Sequence, residues 1–138
     1  MDKEKYNELV KCIELNRIIL CKLNCEINVD ILEEKFERAK VNFNPEFNLK
    51  KKEKNRLYAE AIFDVNVIEE KNQKMVFNIN VSFLLIYNYK EECEDSVLNE
   101  FVKRNVPLNA WPYGREIISS ITARMGLPPL NIGLYKVY

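Results

Sequence analysis

The chain has 138 residues, of which 47% are apolar, and its 21 basic side chains balance its 21 acidic ones. A chain of this size forms one domain over residues 1–138 with its own core, and zero net charge gives no overall field for nucleic acid or an anionic membrane. Histidine is absent, which excludes the standard Ser–His and Cys–His nucleophilic schemes, and no nucleotide-binding motif occurs. We therefore expect no enzyme and no cofactor. The start of the chain is charged and lacks a signal peptide, and no apolar run is long enough to insert into a membrane, so we expect a cytoplasmic protein.

Four cysteines, at positions 12, 21, 25 and 93, raise the question of a disulfide framework or a thiolate metal site. Cys21 and Cys25 fall in an alternating apolar pattern, which would place them on one side of a strand about 13 Å apart. That spacing exceeds the reach of a disulfide and does not fit a Cys-x-x-Cys metal clamp. We expect reduced, mostly buried thiols and no metal.

The first third of the chain predicts a short helix followed by a long strand. Residues 2–12 can form an extra N-terminal helix. From Ile13 to Val29 apolar residues recur at odd positions, with Arg17 as the exception, while most even positions are polar. This alternation is typical of a half-buried strand.

Three further segments complete a predicted sheet. Residues 57–67 and 75–85 alternate in the same way and are joined by a polar turn, so they predict a hairpin. A weaker strand covers Phe43–Leu49, where Pro45 favours an edge position or a bulge. The fold class that follows is α+β, with a four-stranded antiparallel sheet that has one apolar and one wet face.

A charge run, LKKKEKNR, spans Leu49–Arg56 between two predicted strands. We interpret it as a solvated hairpin loop, because charged turns are ordinary. The alternative is an RNA-binding module that uses Lys50–Arg56, although no glycine-rich or aromatic partner motif accompanies the lysines.

The last third predicts two helices. A short helix covers Ser96–Arg104. A longer one covers Pro112–Met125, with Pro112 in its first turn and Gly126 as a left-handed residue that ends it. The side chains on the face of this helix away from Tyr113 are small and weakly polar, which favours close packing against a second neighbour such as another subunit. The candidate interface residues are Gly114, Ile118, Ser119, Thr122 and Ala123.

Large apolar side chains also occur where loops should be polar. They lie between the first two strands and on both flanks of the long helix, and as a group they could line a groove for a partner chain. These apolar residues are Ile31, Phe36, Val41 and Phe43 in or beside the connection, and Val106, Leu108, Trp111, Leu127, Leu130 and Ile132 beside the helix.

The motif WPYGRE at Trp111–Glu116 and the motif GLPPLNI at Gly126–Ile132 resemble the most characteristic segment of the SecB chaperone family. Upstream, NPEFNL at Asn44–Leu49 resembles the second strand of that family, and the predicted first strand and hairpin fit the others. The resemblance covers about residues 13–133.

Membership of the SecB family would imply helices on one face of the sheet, a homotetramer built as a dimer of dimers, and ATP-independent binding of unfolded client proteins such as preproteins or antitoxins. We expect clients to bind at the apolar positions of the crossover, the long helix and its flanking loops. These are Phe36, Phe43, Phe47, Leu108, Trp111, Tyr113, Leu127, Leu130 and Ile132.

Two departures from the family pattern qualify this expectation. SecB docks on the SecA motor partly through acidic residues of the wet face. Glu26 keeps one such position, but Lys22 and Asn78 stand where acids are expected, which weakens an electrostatic docking. The chain also ends at Tyr138, where the second family helix would follow, so that helix is expected to be missing. This pattern resembles SecB-like chaperones of toxin–antitoxin systems. An interaction protein that has the fold but binds no client is the other alternative.

Overall fold

The computed structural model describes residues 2–33, 38–133 and 135. Within them the chain forms four helices and four strands. Their order is α1 (Lys3–Cys12), β1 (Glu14–Ile27), α2 (Val29–Glu33), β2 (Ala39–Glu53), β3 (Arg56–Glu69), β4 (Met75–Asn88), α3 (Asp95–Arg104) and α4 (Val106–Arg124).

The four strands form one antiparallel sheet in the order β1-β4-β3-β2, as the alternation predicted. The β3–β4 hairpin occupies the centre, which leaves β1 and β2 as the two edge strands. One face of the hairpin is buried under the helices, because its odd-numbered residues from Leu57 to Val67 and from Ile79 to Tyr87 are almost all apolar. We call the other face the open face. The predicted α+β architecture is therefore confirmed.

The parity of β1 differs from the prediction because two β-bulges interrupt the strand, between Leu15 and Arg17 and between Leu20 and Lys22. Each bulge adds one residue to β1, which moves the following side chains to the other face. Leu20 consequently lies opposite Phe83 on the helix side, whereas Ile19, predicted to be buried, lies on the open face.

The charge run is strand rather than loop. β2 continues to Glu53, so the predicted loop shrinks to the two residues Lys54 and Asn55. Asn55 has a φ of 62°, a left-handed conformation that asparagine tolerates in tight hairpin turns. The long hairpin aligns all of β2 with β3, and Pro45 lies on the edge strand as expected.

The long helix also starts earlier than predicted, at Val106, with Pro107 in its first turn. Pro112 therefore lies inside α4 and removes the hydrogen bond to the Leu108 carbonyl. Both residues are on the exposed side of the helix, where water can solvate that carbonyl. Gly126, with a φ of 79°, ends α4 as the sequence predicted.

The N-terminal helix packs on α3 as a separate layer. Leu9 is buried, and the Tyr6 hydroxyl donates to Oδ1 of Asn105 at 2.5 Å. The Arg104 guanidinium lies over the Tyr6 ring and adds a cation–π contact. Within residues 2–33 and 38–133, no helix combines the length and apolar character that crossing a membrane requires.

Candidate functional site: an aromatic cluster between β2 and α4

Five aromatic side chains meet where the edge strand β2 approaches α4. The members of this aromatic cluster are Phe43, Phe47, Phe63, Trp111 and Tyr135. Phe63, from β3, is fully buried at the centre. Its ring centroid lies 6.3 Å from that of Phe43, 5.9 Å from that of Phe47 and 5.9 Å from that of Trp111.

The outer members of the aromatic cluster are only half-buried, and that distinguishes them from core residues. Phe43 and Phe47 point to the helix side of β2, and Trp111 meets Phe43 edge-on at 5.5 Å. Val41 extends the same side of β2 and is 47% exposed. The cluster is thus continuous with apolar surface along the edge of the sheet.

The residues that follow α4 pack against this cluster without regular secondary structure. We refer to residues 127–133 and Tyr135 as the C-terminal segment. The Trp111 indole Nε1 donates to the Gly133 carbonyl at 2.6 Å, and the Tyr135 ring lies 5.1 Å from the indole. Leu127 and Leu130 are partly buried, and Ile132 is buried with 8% exposed.

Thr122 fastens the start of the C-terminal segment to α4. Its hydroxyl accepts a hydrogen bond from the Leu130 amide at 2.8 Å and lies within hydrogen-bond distance of the Ile118 and Ser119 carbonyls. Because Thr122 is fully buried, these bonds satisfy a hydroxyl that would otherwise be costly to bury.

Most of the client-binding residues predicted from the sequence come together here. Phe43, Phe47 and Trp111 belong to the aromatic cluster, and Leu127, Leu130 and Ile132 belong to the C-terminal segment. Leu108 lies three residues before Trp111, on the same flank of α4, and is 45% exposed. Phe36 lies outside the described residues.

Tyr113 lies on the opposite flank of α4 and is linked to the aromatic cluster through Phe83, whose ring centroid lies 6.2 Å from that of Phe63. It is 50% exposed and contacts Phe83, which stands opposite Leu20 of the edge strand β1. Leu20 is 47% exposed, and Leu15 and Leu23 on the same side of β1 are 38% and 37% exposed. We call Leu15, Leu20, Leu23 and Tyr113 the β1 apolar surface.

The structure corrects the predicted interface on the small-residue side of α4. Gly114, Ile118 and Thr122 are buried against the chain's own sheet and C-terminal segment, so they are not available to a second subunit. Small residues are needed there because α4 lies directly on the rings of the sheet. Of the predicted set, Ser119 is half-buried and Ala123 is exposed.

The wet-face residues considered for SecA docking do lie on the open face. Glu26 stands opposite Asn78, and Lys22 stands opposite Ser82. Two adjacent cross-strand rows on this face contain six asparagines and two carboxylates, and we call them the amide rows. From β1 to β2 they read Asn24, Asn80, Asp64, Asn44 and Glu26, Asn78, Asn66, Asn42.

Hydrogen bonds within the amide rows hold the central carboxylate. Asp64 accepts from the Asn80 amide at 3.1 Å and from the Asn66 amide at 3.1 Å. The amide rows therefore present mostly neutral amides, two of which donate to the one central carboxylate.

The lysines of the charge run are largely paired. Lys51 lies 2.7 Å from Glu53, and Lys52 lies 2.9 Å from Asp95 at the start of α3. These exposed pairs contribute little to stability, but they neutralise the cations that an RNA phosphate backbone would need.

The cysteines are all free thiols, and two of them are more exposed than the sequence suggested. Cys21 and Cys25 are exposed on β1, whereas Cys12 and Cys93 are half-buried and line one cavity of about 410 Å³ between α1 and the segment before α3. Burial raises the pKa of the Cys93 thiol. Among the described residues no group of three acidic or thiol side chains is arranged to hold a metal ion.

Sequence reasoning missed three contributors to the site. Phe63 was assigned only to the core of the sheet, yet it joins the other rings into one cluster. The roles of Gly133 and Tyr135 could not be predicted, because a hydrogen bond from Trp111 to a carbonyl 22 residues away leaves no motif in the sequence. The surplus of aromatic residues at odd positions of β2 and β3 was the one signal that could have indicated the cluster.

Comparison with known proteins places the chain in a family. The family model for the preprotein translocase subunit SecB matches residues 23–134. No curated protein matches the chain. A solved structure of the Mycobacterium tuberculosis Rv1957 SecB-like chaperone, in complex with a ChAD peptide from the Rv1956 HigA1 antitoxin, is similar with a TM-score of 0.77 at 14% identity, over 99% of each chain.

A second solved structure, of a protein of unknown function from Streptococcus agalactiae, is similar with a TM-score of 0.53 at 12% identity. It covers 88% of this chain and 97% of the other. Identities this low establish the common fold alone, whereas the family model matches most of the chain. The chain belongs to the SecB family.

Proposed function

We propose that the protein is an ATP-independent holdase chaperone that binds unfolded polypeptides at the aromatic cluster. The observation that carries the proposal is the half-buried set of rings along the edge strand β2, continuous with the exposed Val41. Membership of the SecB family supports a chaperone role.

The chemistry of the site suits clients that share no sequence. Aromatic rings bury large apolar areas with few rotatable bonds, and burial of apolar surface is non-directional. Zero net charge leaves binding to depend mainly on apolar contact, so we expect client affinity to change little with salt.

We further propose that the protein self-associates through the β1 apolar surface. β1 is an edge strand of 14 residues, so no strand of the described part of the chain pairs with its outer backbone groups. Three exposed leucines on that strand and the half-exposed Tyr113 form an apolar patch of the kind that associating surfaces present. A second copy paired along β1 would cover both features, and a further pairing of such dimers would give the tetramer of the family.

The amide rows favour a client pathway that does not use SecA. An electrostatic docking needs a charged face, and here only two of eight residues in the rows are acidic. The antitoxin peptide bound by the similar M. tuberculosis chaperone supports an antitoxin as the client. The cytoplasm is the compartment we propose, since all four cysteines are free thiols.

The test is binding of a permanently unfolded protein, reduced and carboxymethylated α-lactalbumin, labelled with fluorescein and followed by anisotropy. We expect saturable binding without nucleotide and suppression of client aggregation at stoichiometric amounts. Absence of both would contradict the proposal and leave a SecB-fold interaction protein. Strong retention of SecA on the immobilised protein at low salt would contradict the SecA-independent pathway.

A further inference from the structure

We propose that the C-terminal segment occupies the client surface of its own chain, and that a client binds by displacing it and taking over the hydrogen bond from the Trp111 indole. This inference rests on the proposed chaperone function. It concerns how the site is regulated and which atom of the client the site recognises.

The C-terminal segment has the properties of an extended apolar client. Residues 127–133 form neither helix nor strand, and Leu127, Leu130 and Ile132 turn toward the core. Leu130 and Ile132 are two residues apart, the spacing at which an extended chain presents side chains to one surface. Tyr135 is the member of the aromatic cluster that belongs to the segment: its ring lies on the Trp111 ring and would leave with the segment, whereas the other four rings would stay to bind the client.

Few polar contacts hold the segment in place. Among the described residues, the segment makes one hydrogen bond between main-chain groups, in which the Leu127 amide donates to the Thr122 carbonyl at 3.2 Å. Its two hydrogen bonds to side chains join Leu130 to Thr122 and Gly133 to Trp111. Pro128 and Pro129 have no N–H and cannot add a bond. A segment held mainly by apolar contacts can be exchanged for another chain that offers similar contacts.

The Trp111 bond identifies the feature that a client must replace. An indole N–H that is covered by another chain requires an acceptor, and here the acceptor is a main-chain carbonyl, at 2.6 Å. Every polypeptide carries such carbonyls, so a client of any sequence can satisfy the indole. The combination of an extended apolar segment and one carbonyl facing Trp111 therefore describes the substrate class without specifying a sequence.

The experiment uses nuclear magnetic resonance on the full-length protein labelled with ¹⁵N. The chain has one tryptophan and three glycines, so it gives a single indole N–H signal and a sparse glycine region. On addition of unlabelled reduced and carboxymethylated α-lactalbumin, we expect the indole signal to shift and the Gly133 amide to move to its random-coil position. Anisotropy of the fluorescein-labelled client measures binding independently.

A variant pair provides a second measurement. Ile132→Ser should loosen the segment and tighten client binding about three- to tenfold, since the surface would be free for a larger fraction of the time. Val10→Ser, which also replaces an aliphatic side chain by serine but at a 39% exposed position on α1, should leave affinity unchanged. A synthetic peptide of residues 127–138 added in trans should displace the client, whereas a peptide of the same composition in scrambled order should compete less.

The outcomes are distinct. If the client binds while the Gly133 amide stays in place, or if Ile132→Ser weakens binding in a variant that retains its thermal transition, the segment lines the site and displacement is wrong. If no client binds by anisotropy, the proposed function itself is wrong.

Discussion

Phe63 of β3 lies directly against the backbone of Gly114 in α4, so closely that a Cβ atom at position 114 would stand 2.7 Å from two carbons of the ring. This is the point where the long helix rests on the sheet. Trp111 lies on one side of the contact and Tyr113 on the other, so the aromatic cluster and the β1 apolar surface lie on opposite flanks of α4, joined beneath it by the contact of Phe63 with Phe83. The WPYG motif thus places the Trp111 ring on one flank of α4 and the Tyr113 ring on the other. Gly114, which has no side chain, faces the Phe63 ring between them.

Gly114→Ala is expected to destabilise the protein. The added methyl group meets the buried Phe63 ring, and overpacking of this kind costs about 1–3 kcal/mol, partly offset by about 1 kcal/mol from the better helix propensity of alanine. Urea unfolding at equilibrium measures the change. Gly133→Ala is the control, since nothing lies within 4 Å of its Cβ position. In the double variant with Phe63→Leu the cost should shrink, and additive costs would contradict the contact.

Phe43→Ala should weaken client binding by about tenfold, the size of loss typical for a large side chain at the centre of an interface. Phe43 stacks on Phe63 and contacts Trp111, so its ring forms part of the proposed client surface. Anisotropy of labelled, carboxymethylated α-lactalbumin gives the affinity. Tyr58→Ala removes a ring from the open face, where Tyr58 bonds with Glu53, and should leave affinity unchanged. Equal losses in the two variants would refute the assignment of the site.

Leu20→Lys should shift the protein toward monomer. A charge placed opposite Phe83 on the β1 apolar surface cannot be buried in a self-interface without a large desolvation cost. Sedimentation velocity across a range of concentrations measures the shift. Val41→Lys is a matched control, because Val41 and Leu20 are both 47% exposed but lie on opposite edges of the sheet. A wild-type chain that is monomeric throughout would contradict the proposed assembly.

Stability should decline at alkaline pH partly through Tyr87. Burial raises the pKa of the Tyr87 hydroxyl well above its ordinary value of 10.0, and the hydroxyl donates to Asn109 at 2.8 Å. Above pH 10 the unfolded chain loses this proton while the native chain keeps it, so the free energy of unfolding falls by up to about 1.4 kcal/mol per pH unit for this group. The contribution is complete below pH 10 and is lost as the pH rises toward the folded-state value.

Tyr87→Phe checks that sign. The variant should be about 1 kcal/mol less stable at pH 8, from the lost hydrogen bond, and the difference should narrow between pH 9 and pH 11. Urea unfolding at each pH gives the values, and Tyr113→Phe, at a half-exposed position, is the control. A difference that stays constant with pH would show that Tyr87 does not carry the dependence.

Which parts of the fold the sequence could predict depended on how regular each segment is. The β3–β4 hairpin was predictable, because its alternation runs unbroken and its odd positions are buried. β1 was predicted as a strand, but the faces of Ile19 and Leu20 were not, because each bulge adds a residue without changing the apolar content and so reverses the alternation. The amphipathic character of α4 was misjudged because Gly114 and Thr122 look like surface residues, yet the closely packed Phe63 leaves room only for small side chains.

The sequence predicted which residues belong to the candidate site better than it predicted how they are arranged. Phe43, Phe47 and Trp111 could be predicted as site residues, because large apolar residues outside regular core positions indicate a binding surface. Their division from Tyr113 could not be predicted, since it depends on the side of α4 to which each residue turns and on the sheet order that separates β1 from β2.

The two outer strands share a property that bears on solubility. β1 carries two bulges, and β2 carries Pro45, which lacks the N–H that a neighbouring strand would require. An uninterrupted edge strand would allow further strands to pair with it, either from other copies of the protein or from unfolded chains. The bulges of β1 and the proline of β2 restrict strand pairing to partners whose own backbone matches these interruptions. The sheet can thus present apolar surface at both margins while resisting open-ended growth into fibres.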